Sequence, residues 1–103
     1  MTTDELKTRT KSFALRIIKL VEALPPTRTA DVIGKQLAKS GTSVGANYRA
    51  ACRAKSNADF IAKIGIVEEE ADESAFWLEV IVESGLMKEE LVDEGRTCKG
   101  FIG

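Results

Sequence analysis

Apolar residues recur along this chain at the spacing of one face of an α-helix, in three long blocks and one short one. In the first block Leu6, Phe13, Ile17, Leu20, Val21 and Leu24 fall at helical intervals, which places them on one stripe. Thr3 is a suitable N-cap, with Asp4 and Glu5 at the positive end of the helix dipole. Pro25-Pro26 ends the block, because the residue before a proline is pushed out of the α region. A second helix should start near Thr29, with Asp31 in its first turn and Ile33, Leu37, Val44, Tyr48, Ala51 and Cys52 on its stripe. Ser56 and Asp59 then form an S-x-x-D capping box that opens a third helix. Its apolar positions are Phe60, Ile64, Val67, Ala71, Ala75, Leu78 and Ile81. Gly85 is a natural C-terminal stop. From Lys88 onward, Leu91 and Val92 support only a weak fourth helix, interrupted at Gly95 and limited at Gly100.

Three strong helices and one weak one, joined by short loops, predict an all-α fold. The architecture expected is an up-and-down antiparallel four-helix bundle whose fourth helix is short. At 103 residues a single domain over 1–103 is expected, large enough for a real but not generous core.

The middle of the second helix is unusual, because Ser40, Gly41, Ser43, Gly45 and Ala46 are all small. Glycine inside a helix costs about 0.5–1 kcal/mol relative to alanine, so two in five residues would weaken an isolated helix. Close approach of a neighbouring helix is the expected return, and Ser43, Asn47 and Tyr48 would then hydrogen-bond across that crossing. The alternatives are a loop at Ser40–Ser43 and a polar cluster that contacts a ligand. The apolar stripe keeps its register across the gap, which favours one continuous helix.

Charge adds an asymmetry. Residues 1–55 hold 11 Lys/Arg against 4 Asp/Glu, and residues 56–103 hold 4 against 12, within a chain of net charge −1. Arg49 and Arg53 lie one turn apart on the second helix, and Glu69 and Glu73 one turn apart on the third. A tight turn at Ala54–Asn57 between antiparallel helices predicts ion pairs between them, with the arginine fork gripping carboxylates. If partly buried, such pairs fix register more than they stabilise; on an exposed face they would contribute little. Trp77, beside Phe76, exceeds what one bundle core needs and points to an interface.

Composition narrows the chemistry. There is no histidine, so the usual general base at neutral pH and the commonest metal ligand are missing. Glu69 and Glu73 match half of a di-iron pattern that normally requires Glu-x-x-His, and a carboxylate-only Mg²⁺ or Mn²⁺ site is the remaining metal reading. No catalytic residue, metal or cofactor is expected. Cys52 and Cys98 are far apart and form no CxxC; Cys52 falls on the apolar stripe, and isolated thiols fit a reducing cytosol. No apolar run approaches the ~20 residues of a membrane span, and the start lacks a signal-peptide pattern, so a cytoplasmic, non-membrane protein is expected. Lys7, Arg9, Lys11, Arg16 and Lys19 give the first helix a basic face that could contact phosphates. A pI near 5.5 and the absence of an aromatic stacking platform favour an ordinary solvated face instead.

Several blocks together resemble one family. The run Gln36-Leu37-Ala38-Lys39-Ser40-Gly41-Thr42-Ser43-Val44-Gly45-Ala46-Asn47-Tyr48-Arg49-Ala50-Ala51-Cys52-Arg53-Ala54-Lys55-Ser56 is similar to the signature of the small bacterial four-helix-bundle proteins, also called 23S ribosomal RNA intervening-sequence proteins. Asp59-Phe60-Ile61-Ala62-Lys63-Ile64, Glu68-Glu69-Glu70-Ala71-Asp72-Glu73-Ser74-Ala75-Phe76-Trp77-Leu78-Glu79 and the opening Phe13, Ile17 and Leu24-Pro25 fit it in order and spacing, over about residues 10–87. The resemblance implies an up-and-down bundle assembled as a homopentameric ring. It also implies kinship with the accessory variability determinant of diversity-generating retroelements, a basic pentamer that works with a reverse transcriptase and nucleic acid. The function expected is therefore a non-enzymatic homo-oligomeric scaffold, since a chain with a positive and a negative half suits head-to-tail association. The alternative is an accessory protein that binds RNA, or joins a reverse-transcriptase complex, through the basic face of the first helix.

Overall fold

In the computed structural model, which describes the backbone of residues 1–96 and the side chains of residues 1–92, four helices follow one another: α1 (Thr3–Glu22), α2 (Arg28–Cys52), α3 (Asn57–Glu83) and α4 (Glu89–Arg96). The chain runs up and down. α2 lies between α1 and α3 and makes the largest interfaces with both, and the short α4 folds back onto α1 and α3. Cys98, Gly100 and the remaining tail lie outside the described residues.

Each long helix starts at a hydroxyl cap. Thr2 accepts from the Glu5 N–H, Thr27 from the Ala30 N–H and Ser56 from the Asp59 N–H, all at 3.1 Å. The first two caps come earlier than Thr3 and Thr29, because Thr2 and Thr27 hold the extended backbone a cap needs while the residues after them are already helical. Asp59 closes its box on the residue before the cap, accepting from the Lys55 N–H at 3.1 Å. At the far end of α3, Gly85 takes φ +79°. The Leu86 and Gly85 N–H groups donate to the Ile81 and Val82 carbonyls, both at 3.1 Å, which makes a Schellman stop.

The core gathers Phe13, Ile17 and Leu20 from α1, Ile33, Leu37, Val44 and Tyr48 from α2, Val67, Leu78 and Ile81 from α3, and Val92 from α4. Two predicted α3 positions differ. Phe60 is 42% exposed, because it stands in the first turn of α3 over a shallow groove at the end of the bundle, beside Thr3, Tyr48 and Cys52. Ala75 is only half-buried, and the fully buried place is taken by Ser74. Its single hydroxyl proton has two acceptors in reach, Ser40 Oγ at 3.0 Å and the Glu70 carbonyl at 2.9 Å, and Ser40 Oγ donates to the Leu37 carbonyl at 3.2 Å. This pair is a polar pin between α2 and α3 inside the core, and it fixes their antiparallel register.

α2 is one continuous helix across its small residues, as the unbroken stripe predicts. The glycines form a trough for α1. A Cβ on Gly41 would stand 2.8 Å from Ile17 Cγ2, one on Gly34 3.1 Å from Val21 Cγ1, and one on Gly45 3.3 Å from Thr10 Oγ1. The predicted crossing therefore needs correction in its membership. Gly41 and Gly45 belong to it, Ser40 faces α3, and Gly34 joins two turns upstream of Gly41. Ser43 and Asn47 do not bridge helices. Ser43 Oγ donates to the Lys39 carbonyl at 2.6 Å and Asn47 Nδ2 to the Ser43 carbonyl at 2.9 Å, both within α2.

Two glycine substitutions should thus have opposite signs. Gly41→Ala drives a methyl into fully buried Ile17; overpacking of about 1–3 kcal/mol outweighs the ~1 kcal/mol gain in helix propensity. Gly65, in mid-α3, has no atom within 4 Å of an added Cβ, so Gly65→Ala should stabilise by about 0.5–1 kcal/mol. Urea unfolding midpoints check both: Gly41→Ala should fall below the parent and Gly65→Ala rise above it.

Candidate functional site

The register set by Ser40 and Ser74 decides which charges meet. Counting outward from that pair along antiparallel helices, Arg49 is level with Gly65 and Arg53 with Ile61, whereas Glu69 and Glu73 are level with Gly45 and Gly41. The predicted ion pairs therefore do not form. Arg49, Arg53, Glu69 and Glu73 are all exposed, and no salt bridge joins either arginine to either glutamate. The pairs that do form include Lys35–Asp31 at 3.0 Å and Lys63–Asp59 at 2.6 Å, each within one helix. The cation that reaches the acidic cluster across the helices is Lys39, whose field acts on Glu70.

Glu70 is half-buried, and its carboxyl titrates above the ordinary range. Burial is the main cause, followed by the negative charge of Glu73; Lys39 opposes the shift and Glu69 adds to it. The outer side of α3 thus carries carboxylates that repel one another. Glu73 Oε1 accepts from Trp77 Nε1 at 3.4 Å, and the Trp77 ring meets the Phe76 ring edge-on at 5.0 Å. Phe76 itself is 53% exposed. A large aromatic in solvent beside carboxylates is the residue type enriched at protein interfaces.

The basic residues of α1 do not make one face. At 100° per residue, Lys7 and Arg16 project from opposite sides of the helix. Lys7 and Lys11 turn toward α2, where with Arg49 they rim a shallow cleft of about 290 Å³ floored by Thr10, Ala14, Gly45 and Ala46. Arg9 and Arg16 are engaged elsewhere, and Lys19 is exposed beyond the cleft. The sequence hid the role of Arg49, although its position one turn after Gly45 was a usable signal, since the glycine that admits α1 also brings Arg49 beside Lys7 and Lys11. Among the described residues no three His, Cys, Asp or Glu side chains converge to hold a metal ion, and no helix is long and apolar enough to cross a membrane. Cys52 carries no disulfide and is half-buried one turn from Tyr48. The Tyr48 hydroxyl is shifted up by burial and by its hydrogen bond with Cys52.

The raised titration of Glu70 has a definite sign. A carboxyl easier to protonate in the folded state than in the unfolded one costs stability while ionised, and the cost disappears as pH falls below its unfolded value. Glu70→Gln should therefore raise the urea midpoint at pH 7, and the advantage should vanish below the ordinary glutamate value of 4.5. Asp59 behaves oppositely: the Lys63 hydrogen bond holds its carboxyl low, so its contribution is present above the ordinary aspartate range and lost as pH falls through the lowered value.

Comparison with curated proteins gives no match. A crystal structure of a protein of unknown function from the S23 ribosomal protein family of Bacteroides thetaiotaomicron VPI-5482 is similar, with a TM-score of 0.85 and 36% identity, over 93% of this chain and 89% of that one. Residues 4–98 match the family model described as 23S rRNA-intervening sequence protein. With a family match across nearly the whole chain and the same helical fold in a relative of this identity, the chain belongs to the 23S rRNA-intervening sequence protein family.

Proposed function

We propose that this protein is a non-enzymatic scaffold, a homo-oligomer of helical bundles that assembles as a pentameric ring in the cytoplasm. One observation carries the reading. The protomer has an acidic, aromatic-bearing side on α3 and a cationic cleft between α1 and α2, and neither is neutralised by the other within the chain. Two different, complementary surfaces on one protomer support head-to-tail association, which closes into rings. Phe76, exposed beside these carboxylates, is the aromatic type enriched at interfaces. The non-enzymatic part rests on the absence of histidine and, among the described residues, of any three His, Cys, Asp or Glu side chains that converge to hold a metal ion. Cytoplasmic placement rests on the composition and on the unpaired Cys52 thiol.

A second reading, binding of a polyanion such as RNA, is favoured by the three cations of the cleft. Phosphate contacts by Lys7, Lys11 and Arg49 would make log K fall with log salt by about 0.7 per contact on a single strand. RNA binding with no salt dependence would contradict it.

The direct check of the scaffold reading is size-exclusion chromatography with light scattering at micromolar concentration. The expected result is one discrete species with the mass of a pentamer of the 11.2 kDa chain, weakening as ionic strength rises. A strict monomer at every salt concentration would remove the reading.

A further inference from the structure

We infer that the cleft rimmed by Lys7, Lys11 and Arg49 is the seat for the outer face of α3 from a second copy of the chain, with Glu69 and Glu73 on the cations and Phe76 on the apolar floor. The inference rests on the homo-oligomer reading and assigns its two surfaces. On α3, Glu69, Glu73 and Phe76 are spaced i, i+4, i+7, so they share one stripe on the side away from Val67, Ser74 and Leu78. The stripe presents two anions followed by an aromatic. The cleft has the matching construction, with three cations at its edge and a floor of Ala14, Gly45 and Ala46. The alanines carry only methyls, so a facing helix can lay an aromatic ring there. A volume of about 290 Å³ accommodates a phenylalanine side chain.

An α3 face that fills the cleft must come from another copy. The cleft opens on the α1 side of α2, and α3 packs against the opposite side of α2 through Ser40 and Ser74. The chain cannot fold its own α3 face into its own cleft. The contact therefore joins two unlike patches, the geometry that propagates around a ring. A nucleic-acid phosphate would match the cationic edge but leave the apolar floor and Phe76 unmatched. The α3 face satisfies both, and the arriving cations would stand beside Glu69 and Glu73, whose charges add to the burial that raises Glu70.

Charge reversal tests the assignment. The double variants Lys11→Glu/Arg49→Glu and Glu69→Lys/Glu73→Lys change only exposed residues, and circular dichroism verifies that each remains helical. In the first, cleft and α3 face are both acidic; in the second, both are basic. Light scattering should find each a monomer alone, and an equimolar mixture should form assemblies in which the two variants alternate, each cleft meeting an α3 face of opposite charge; because five protomers cannot alternate, the mixture should give even-membered species and not the parent's pentamer. Phe76→Ala, with charges intact, should raise the dissociation concentration by about tenfold or more, as for a buried aromatic anchor. If each double variant alone keeps the mass of an oligomeric parent, the interface is elsewhere and the assignment is overturned while the scaffold reading stands. A folded mixture that stays monomeric also overturns it. So does labelled RNA that binds the assembled parent and loses that binding in Lys11→Glu/Arg49→Glu, since a seated cleft is covered. A parent that is itself monomeric removes the scaffold reading first, a result read before any variant is made.

Discussion

The buried hydroxyl pair of Ser40 and Ser74 is the constraint on which the arrangement of this molecule depends. Both residues are essentially without solvent contact, so each hydroxyl must find its partner inside the core. Each hydroxyl also has a backbone carbonyl of its own helix in reach, Leu37 for Ser40 at 3.2 Å and Glu70 for Ser74 at 2.9 Å, so a slip of α3 along α2 loses the Ser74–Ser40 bond between the helices, about 0.5–1.5 kcal/mol. Apolar side chains alone tolerate such a slip more readily, because a leucine stripe offers similar contact one turn away. The serine pair thus favours one register along a permissive hydrophobic seam. The glycine trough does the complementary work on the other side of α2, where Gly34, Gly41 and Gly45 let α1 approach to a distance that any Cβ would obstruct.

Register, once fixed, distributes charge. Had Arg49 and Arg53 met Glu69 and Glu73, the opposite halves of the sequence would have cancelled inside the protomer. Instead Lys39 is the cation near the acidic cluster, and the arginines and glutamates remain on separate surfaces. A chain whose net charge is only −1 is therefore a strongly divided molecule, cationic between α1 and α2 and anionic along the outside of α3. That division is a property of packing, and it gives the proposed assembly both its attraction and its polarity.

Much of the fold was legible in the sequence. The Ser56–Asp59 box, the Gly85 stop, the Pro25-Pro26 break and the apolar stripes are local signals, set by backbone geometry within one or two turns, and each appears in place. Thr2 and Thr27 cap earlier than expected because neighbouring hydroxyl residues offer equivalent caps, and only the backbone decides between them. The misses are of another kind. Ser74 was passed over for Ala75 because a polar residue reads as surface, although a partner on the facing helix makes it core. The spacing of Arg49, Arg53, Glu69 and Glu73 carries no information on how far one helix is slid or turned against the next. The five cations of α1 looked like one face until the 100° step separated Lys7 and Lys11 from Arg16. The cleft joins residues about 40 apart in sequence, and no local pattern announces such a meeting.

The central claim is that charges left unpaired within the protomer are paired between protomers. A double-mutant cycle on assembly, using Arg49→Ala, Glu73→Ala and the double variant and reading the dissociation constant by light scattering, tests it most directly. The account predicts clear non-additivity in the dissociation constant, with the double variant no worse than either single change, and additive effects on unfolding of the protomer. Additive effects on assembly, or coupling in protomer stability instead, would contradict it.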